Sequence, residues 1–297
     1  MIEKILGGGN IKLYAPGTFE KVIGNLRKIK NKDYNYYKKH IGFSIVLAPP
    51  YDLESLIEFF GREEFSTERP PFVSFVDPYD TVFFENFPNL KEINKKLNNK
   101  LDELGRKYAI FLISKKGNFN IGFLRTLFED KIRDIHRRNL IKLHEKIYPN
   151  GICLPGFQRL FVSPTGKFYA CEKIGYSFPI GDIYKGFDID AVYNLLEKYI
   201  NVSEEMCLSC WAVRLCKSCF TRAKKGEELN EKRKEENCFL IKKSLDRALK
   251  LYCEIIENNS KSLDYLKNYK QIGGLEIAFQ FLENYYNKRG VKNERTN

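Results

Sequence analysis

Eight cysteines lie in this 297-residue chain, and none precedes Cys153. Seven form a series: Cys153, Cys171, Cys207, Cys210, Cys216, Cys219 and Cys238. Two residues lie between Cys207 and Cys210, as between Cys216 and Cys219, and five residues separate the two pairs. Thiolates in close pairs, joined by cysteines from flanking segments, suit a soft metal centre, because each sulfur must reach a metal at about 2.3 Å without straining the chain. Metal chemistry is therefore expected in the C-terminal half.

One zinc ion on Cys207, Cys210, Cys216 and Cys219 is one reading. Zinc ribbons, however, separate their cysteine pairs by about 15–20 residues, and a single ion leaves Cys153, Cys171 and Cys238 without a task. Disulfides belong to oxidising compartments. The sequence has neither a signal-peptide pattern nor an apolar run of membrane length, so a cytoplasmic location with no membrane partner is expected. Iron–sulfur binding is the preferred reading.

The spacing carries a resemblance. Cys153 is followed by twelve residues, Gly166, four residues and Cys171; then come Cys207-x2-Cys210-x5-Cys216-x2-Cys219 and, after a gap, Cys238. This series resembles the SPASM domain, the auxiliary iron–sulfur module at the C-terminus of many radical SAM enzymes that modify peptides. The family pattern has three residues before the cysteine that corresponds to Cys219, where this chain has two. The Cys-Trp-Ala…Arg-Leu-Cys run from Cys210 to Cys216 is similar to segments of peptide-maturing members. The resemblance implies two auxiliary [4Fe-4S] clusters. Cys207, Cys210, Cys216 and Cys238 would hold one with a full set of four thiolates, and Cys153, Cys171 and Cys219 the other, leaving one iron without a cysteine. Cys253 falls outside the pattern and is expected to be a buried small hydrophobe on a helix's inner face.

The elements that must position these thiolates are legible around them. Residues 157–162 and 167–171 are expected as strands joined by the turn residues Ser163-Pro164-Thr165-Gly166, a hairpin that delivers Cys171 beside Cys153. The segment Pro179-Ile180-Gly181-Asp182-Ile183 resembles one that often follows this hairpin in SPASM domains. Asp190–Tyr199 has the pattern of an amphipathic helix. Ile241, Leu245, Leu249, Tyr252 and Ile256 recur at helical spacing, so Cys238 is expected in the first turns of a helix over 234–257.

The N-terminal half alternates differently. A helix is expected from Thr18 to Lys30, an apolar strand from Ile41 to Ala48 stopped by Pro49-Pro50, a helix over Leu53–Phe60 capped by Asp52, and a strand over Phe72–Val76. Helix, strand, helix, strand is the order of a parallel α/β layer. Residues 17–23 and 46–52 resemble parts of the radical SAM barrel of peptide maturases. The expected fold is thus α/β: a partial radical SAM (β/α) barrel over residues 1–152, a SPASM iron–sulfur domain over 153–257 and a helical tail over 258–297.

Radical SAM enzymes hold their S-adenosylmethionine cluster in a C-x3-C-x2-C loop, and that motif is absent from this chain. The resemblance then implies S-adenosylmethionine only through a missing or separate N-terminal half, with a peptide as substrate. A split subunit, a remnant or misassigned start, and a protein that works alone all fit. The favoured activity is thioether formation on a ribosomally made peptide; a noncatalytic electron-transfer or structural metal protein is the alternative. Gly7-Gly8-Gly9 lacks the strand and helix of a phosphate site. The net charge of +12 is interleaved with acids, as in Lys131, Arg133, Arg137, Arg138 and Lys142 among Glu129, Asp130, Asp134 and Glu145, which reads as solvated helix rather than a nucleic-acid surface. His40, His136 and His144 lack ligand spacing, and Asp77 before a proline is an ordinary turn residue.

Overall fold

The computed structural model describes residues 17–69, 71–76, 81–116, 121–138 and 153–266. Among them 58% are helical and 9% are in strands, and strands occur only as pairs. The chain is therefore of a mixed α/β class, and no barrel is present among the described residues. Gly7-Gly8-Gly9, Asp77, Lys142, His144 and Glu145 lie outside them. Two compact units divide the chain, one of residues up to His136 together with Arg247–Leu266, the other of residues from Arg137 to Asp246.

The first unit begins with α1 (Thr18–Lys32) and α2 (Tyr34–His40). The Asp33 carboxylate accepts from the Tyr36 N–H at 2.8 Å, satisfying one of the donors that α2 leaves open at its start. Strand β1 (Ser44–Leu47), helix α3 (Leu53–Phe60) and strand β2 (Phe72–Phe75) follow. The strands pair in parallel, Ser44 opposite Phe72 through Leu47 opposite Phe75, as two strands joined by a helical crossover do. Ile45 and Leu47 point inward from β1 while Ser44 and Val46 are exposed, which is the period of two expected of a half-buried strand. Asp52 caps α3 as its position predicts, accepting from the Ser55 N–H at 3.0 Å and the Ser55 hydroxyl at 2.7 Å.

The largest elements here are α4 (Leu90–Ser114), which is not among the expected ones, and α5 (Ile121–His136), whose second half falls in the charged stretch read as solvated helix. Leu104, Tyr108 and Leu112 of α4 meet Phe123, Leu124 and Ile132 of α5 in the buried core, with Ile45, Leu47, Leu53 and Leu56 from the β–α–β unit. Each such side chain contributes about 1.5–3 kcal/mol by leaving water. On the outer faces Arg133 pairs with Asp130 at 2.6 Å, Lys107 with Glu103 at 2.5 Å and Lys96 with Glu92 at 2.7 Å, so the helical basic residues are interleaved with acids in space as well as in sequence. His40 stacks on Tyr36, and His136 Nδ1 lies 3.4 Å from the Tyr252 hydroxyl.

The second unit is built from three short antiparallel hairpins and helices. Strand β3 (Phe161–Val162) pairs with β4 (Phe168–Tyr169), shorter than the expected strands but with the expected turn. The Gly166 N–H donates to the Ser163 carbonyl at 2.9 Å, and Gly166 has φ 79°, where a side chain is strained. Strand β5 (Gly181–Asp182) pairs with β6 (Gly186–Phe187) and also braces the first hairpin, the Ile180 N–H donating to the Phe168 carbonyl at 2.8 Å and the Ile183 N–H to the Gly166 carbonyl at 2.9 Å. Helices α6 (Ile189–Asn201) and α7 (Glu204–Leu208) come next, then the hairpin of β7 (Lys224–Lys225) and β8 (Glu228–Leu229). Asp188 caps α6 by accepting from the Ala191 N–H at 3.0 Å. Ile174, Ile180, Leu195, Leu196, Tyr199 and Phe220 are the centre of this unit's core.

Helix α8 (Glu231–Asn258) serves both units, since its residues up to Asp246 belong with the cysteines and those from Arg247 pack into the first unit's core through Leu251 and Ile255. The expected inner face is displaced. Leu245, Ala248, Leu251 and Ile255 are its buried apolar positions, and Cys253, two residues from both Leu251 and Ile255, turns about 200° away from each at about 100° per residue. Cys253 is exposed, which corrects the expectation that it is a buried hydrophobe. After α8 the chain is tied to α4 through Asn259 Nδ2 on the Ile113 carbonyl at 3.0 Å and the Ser262 hydroxyl on the Leu112 carbonyl at 2.8 Å. Of the expected tail, only a short turn at Asp264–Leu266 lies among the described residues, with Leu263 and Leu266 in the core. No helix among the described residues is long and apolar enough to cross a membrane.

Candidate metal centre

All seven cysteines of the series lie in the second unit. Cys171 leaves β4 directly after Tyr169 and Ala170, both buried, and its carbonyl accepts from the Ile174 N–H at 3.3 Å as the chain turns. Cys207 sits in α7, and successive turns carry the chain onward: the Cys210 N–H donates to the Cys207 carbonyl at 3.2 Å and the Val213 N–H to the Cys210 carbonyl at 3.1 Å. Buried Ala212 and Val213 pin this winding loop from inside, while Trp211 beside Cys210 is 55% exposed. Cys238 is presented from α8, in the region where the helical spacing places it.

The thiols fall into two groups by the charges they feel from one another. Burial pushes the Cys153 and Cys171 thiols up; Cys219 adds to the rise at both, and Cys171 adds further at Cys153. Burial also pushes up Cys216 and Cys238, with Cys207 adding to both, Cys238 adding at Cys216 and Cys210 adding at Cys238. Cys207, Cys210, Cys216 and Cys238 line one cavity of 390 Å³. These four are the residues that the SPASM resemblance assigns to one cluster, and Cys153, Cys171 and Cys219 are those it assigns to the other.

Among the described residues, no three His, Cys, Asp or Glu side chains converge as the ligands of a single ion do. A tetrahedral ion would hold its sulfurs about 3.8 Å apart, given metal–sulfur bonds of about 2.3 Å. A four-iron cluster instead seats each thiolate on its own iron, so its ligands surround a volume rather than a point. Four cysteines spread around one cavity fit that donor arrangement. The raised thiols hold their protons more tightly than a free cysteine, so any metal bound there would have to displace those protons and would bind better as pH rises.

A polar frame that the spacing pattern does not include surrounds the four-cysteine cavity. The Ser218 N–H points at Cys216 Sγ at 3.4 Å. Ser218 is itself held twice, its carbonyl accepting from the Tyr199 hydroxyl at 3.0 Å and its hydroxyl oxygen from Asn237 Nδ2 at 3.2 Å. Lys234, only 1% exposed, places Nζ 3.6 Å from Cys207 Sγ and 5.1 Å from the centre of the Tyr199 ring. Its signal in the sequence is its place four residues before Cys238, on the same face of one helix. In the other group, Cys219 Sγ lies 3.0 Å from the Thr221 hydroxyl. No protein-family model matches this chain, and neither a curated protein nor a solved structure matches it.

Proposed function

We propose that the second unit binds two [4Fe-4S] clusters in the manner of a SPASM domain, and that the chain is the C-terminal part of a radical SAM/SPASM peptide-modifying enzyme. The observation that carries this reading is the grouping of the cysteines: the four of the full ligand set share one cavity, and Cys219 acts on both Cys153 and Cys171. When bound, such clusters take up and release single electrons. Cys207, Cys210, Cys216 and Cys238 hold one of them, Ser218 and Lys234 orient and charge-balance its thiolates, and Cys153, Cys171 and Cys219 hold the second with a position left for a substrate donor. The parallel β1–α3–β2 unit is then a segment of the barrel, and the C-x3-C-x2-C cluster that cleaves S-adenosylmethionine is supplied by a missing or separate N-terminal half. Thioether formation on a ribosomally made peptide is the preferred reaction.

Anaerobic purification and reconstitution test this. Brown protein is expected, with about eight iron and eight sulfide per chain, and with no 5′-deoxyadenosine formed from S-adenosylmethionine under strong reductant by this chain alone. A colourless protein with one tightly held zinc would end the iron–sulfur reading. Full clusters, with no cleavage restored by any C-x3-C-x2-C protein encoded beside it, would point instead to a noncatalytic electron-transfer protein.

A further inference from the structure

Lys234 is the one buried lysine among the described residues, and no carboxylate of those residues forms an ion pair with it. A buried ammonium without an anion is costly, so its surroundings call for negative charge. What faces it is sulfur and an aromatic ring: Cys207 Sγ at 3.6 Å and the Tyr199 ring, with Cys216 and Cys238 near enough to feel its charge. The one other lysine on this cavity is Lys242, which is only partly buried and acts on Cys238.

We propose that Lys234 is a positioning and charge-balancing residue that raises the reduction potential of the cluster held by Cys207, Cys210, Cys216 and Cys238. The inference rests on the iron–sulfur reading of that site. A cluster gains one negative charge on reduction, and a cation fixed beside its thiolates in a dry, low-dielectric place stabilises the reduced form more than the oxidised one. A hydrogen bond from Nζ to the Cys207 sulfur acts in the same direction, since hydrogen bonds to the sulfurs are among the levers that set these potentials. Lys234 lies one helical turn before Cys238 on α8, so the helix fixes both charge and ligand. Tyr199 seats the ammonium by offering it the face of its ring.

The test is a potentiometric titration of the reconstituted full-length chain followed by electron paramagnetic resonance. Cys171→Ala identifies the signal of the four-thiolate cluster. Lys234→Met is expected to weaken one-electron reduction of that cluster about tenfold, a downward shift of about 59 mV, with the three-thiolate cluster unmoved. Lys234→Arg, which keeps the charge, should stay close to the parent. Lys234→Gln, which loses the charge but keeps a donor, should fall between, and it carries the test if the methionine variant loses its iron. Lys242→Met should move the potential less than Lys234→Met. An unchanged potential in both neutral variants, or an equal shift from Lys242→Met, would overturn the role of Lys234 while leaving the clusters in place. Failure of the parent protein to take up iron and sulfide would instead overturn the reading of the site, and this role with it.

Discussion

Replacing Cys210 with alanine is expected to remove one cluster's iron and sulfide, about four of each, and leave the other cluster in place. Cys210 lines the four-cysteine cavity, and the turn around it is held by backbone hydrogen bonds that alanine preserves. The loss should therefore be that of a ligand and not of the fold. Circular dichroism of the metal-free variant should match the parent. Cys253→Ala is the matched control, because Cys253 is exposed and faces away from the buried stripe of α8; its iron content should equal the parent's. Equal losses from both variants would show that the ligand sets are misassigned, and loss of all eight irons from Cys210→Ala would show that the two groups do not load independently.

Gly181→Ala should be the most damaging single-methyl change in the second unit. Gly181 has φ 137°, and a methyl there would fall on the Gly186 carbonyl oxygen, well inside van der Waals contact, with Gly186 C and Phe187 Cα each at 3.0 Å. These are backbone atoms of the paired strand and cannot swing aside. Strain and clash together are expected to cost about 3 kcal/mol, read as a lower midpoint in chemical denaturation. Because β5 braces the hairpin that feeds Cys171, iron at the three-thiolate set should be lost first. Gly24→Ala gives the opposite outcome: Gly24 lies within α1 with no heavy atom within 4 Å of the added methyl, so a gain of up to about 1 kcal/mol is expected. A Gly181→Ala protein as stable as the parent would mean that the second hairpin does not support the first.

Local chemistry made much of this fold legible. Asp52 before Leu53 marked the start of α3, Pro49-Pro50 the end of β1, and Ser163-Pro164-Thr165-Gly166 the first hairpin, since each is decided by residues within a few positions. The shared cavity of Cys207, Cys210 and Cys216 is legible because the loop joining them is short enough for sequence distance to limit spatial distance, whereas the placing of Cys219 with Cys153 and Cys171 came only from the family resemblance. What escaped has a different character. The recurrence of Leu97, Leu101, Leu104, Tyr108 and Leu112 carries the signal of α4, but it says nothing of which helix packs against it. The inner face of α8 was misplaced because the helix is buried against the first unit along Leu251 and Ile255, and periodicity alone does not choose among neighbouring stripes when Leu249, Tyr252 and Ile256 are also apolar. Lys234 and Tyr199 escaped for the same reason: a lysine in a charged run reads as solvated until tertiary packing buries it.

Trp211 is the chain's only tryptophan, and it stands half-exposed next to Cys210. The indole emission of this protein therefore comes from one place, at the rim of the candidate centre, with no second indole to dilute it. Iron–sulfur centres absorb across the range where indole emits, so uptake or release of a cluster becomes visible as quenching or recovery of a single fluorophore, in real time and without a label. On the proposed reading, the loop that presents the thiols would thus also supply an optical gauge of its own occupancy.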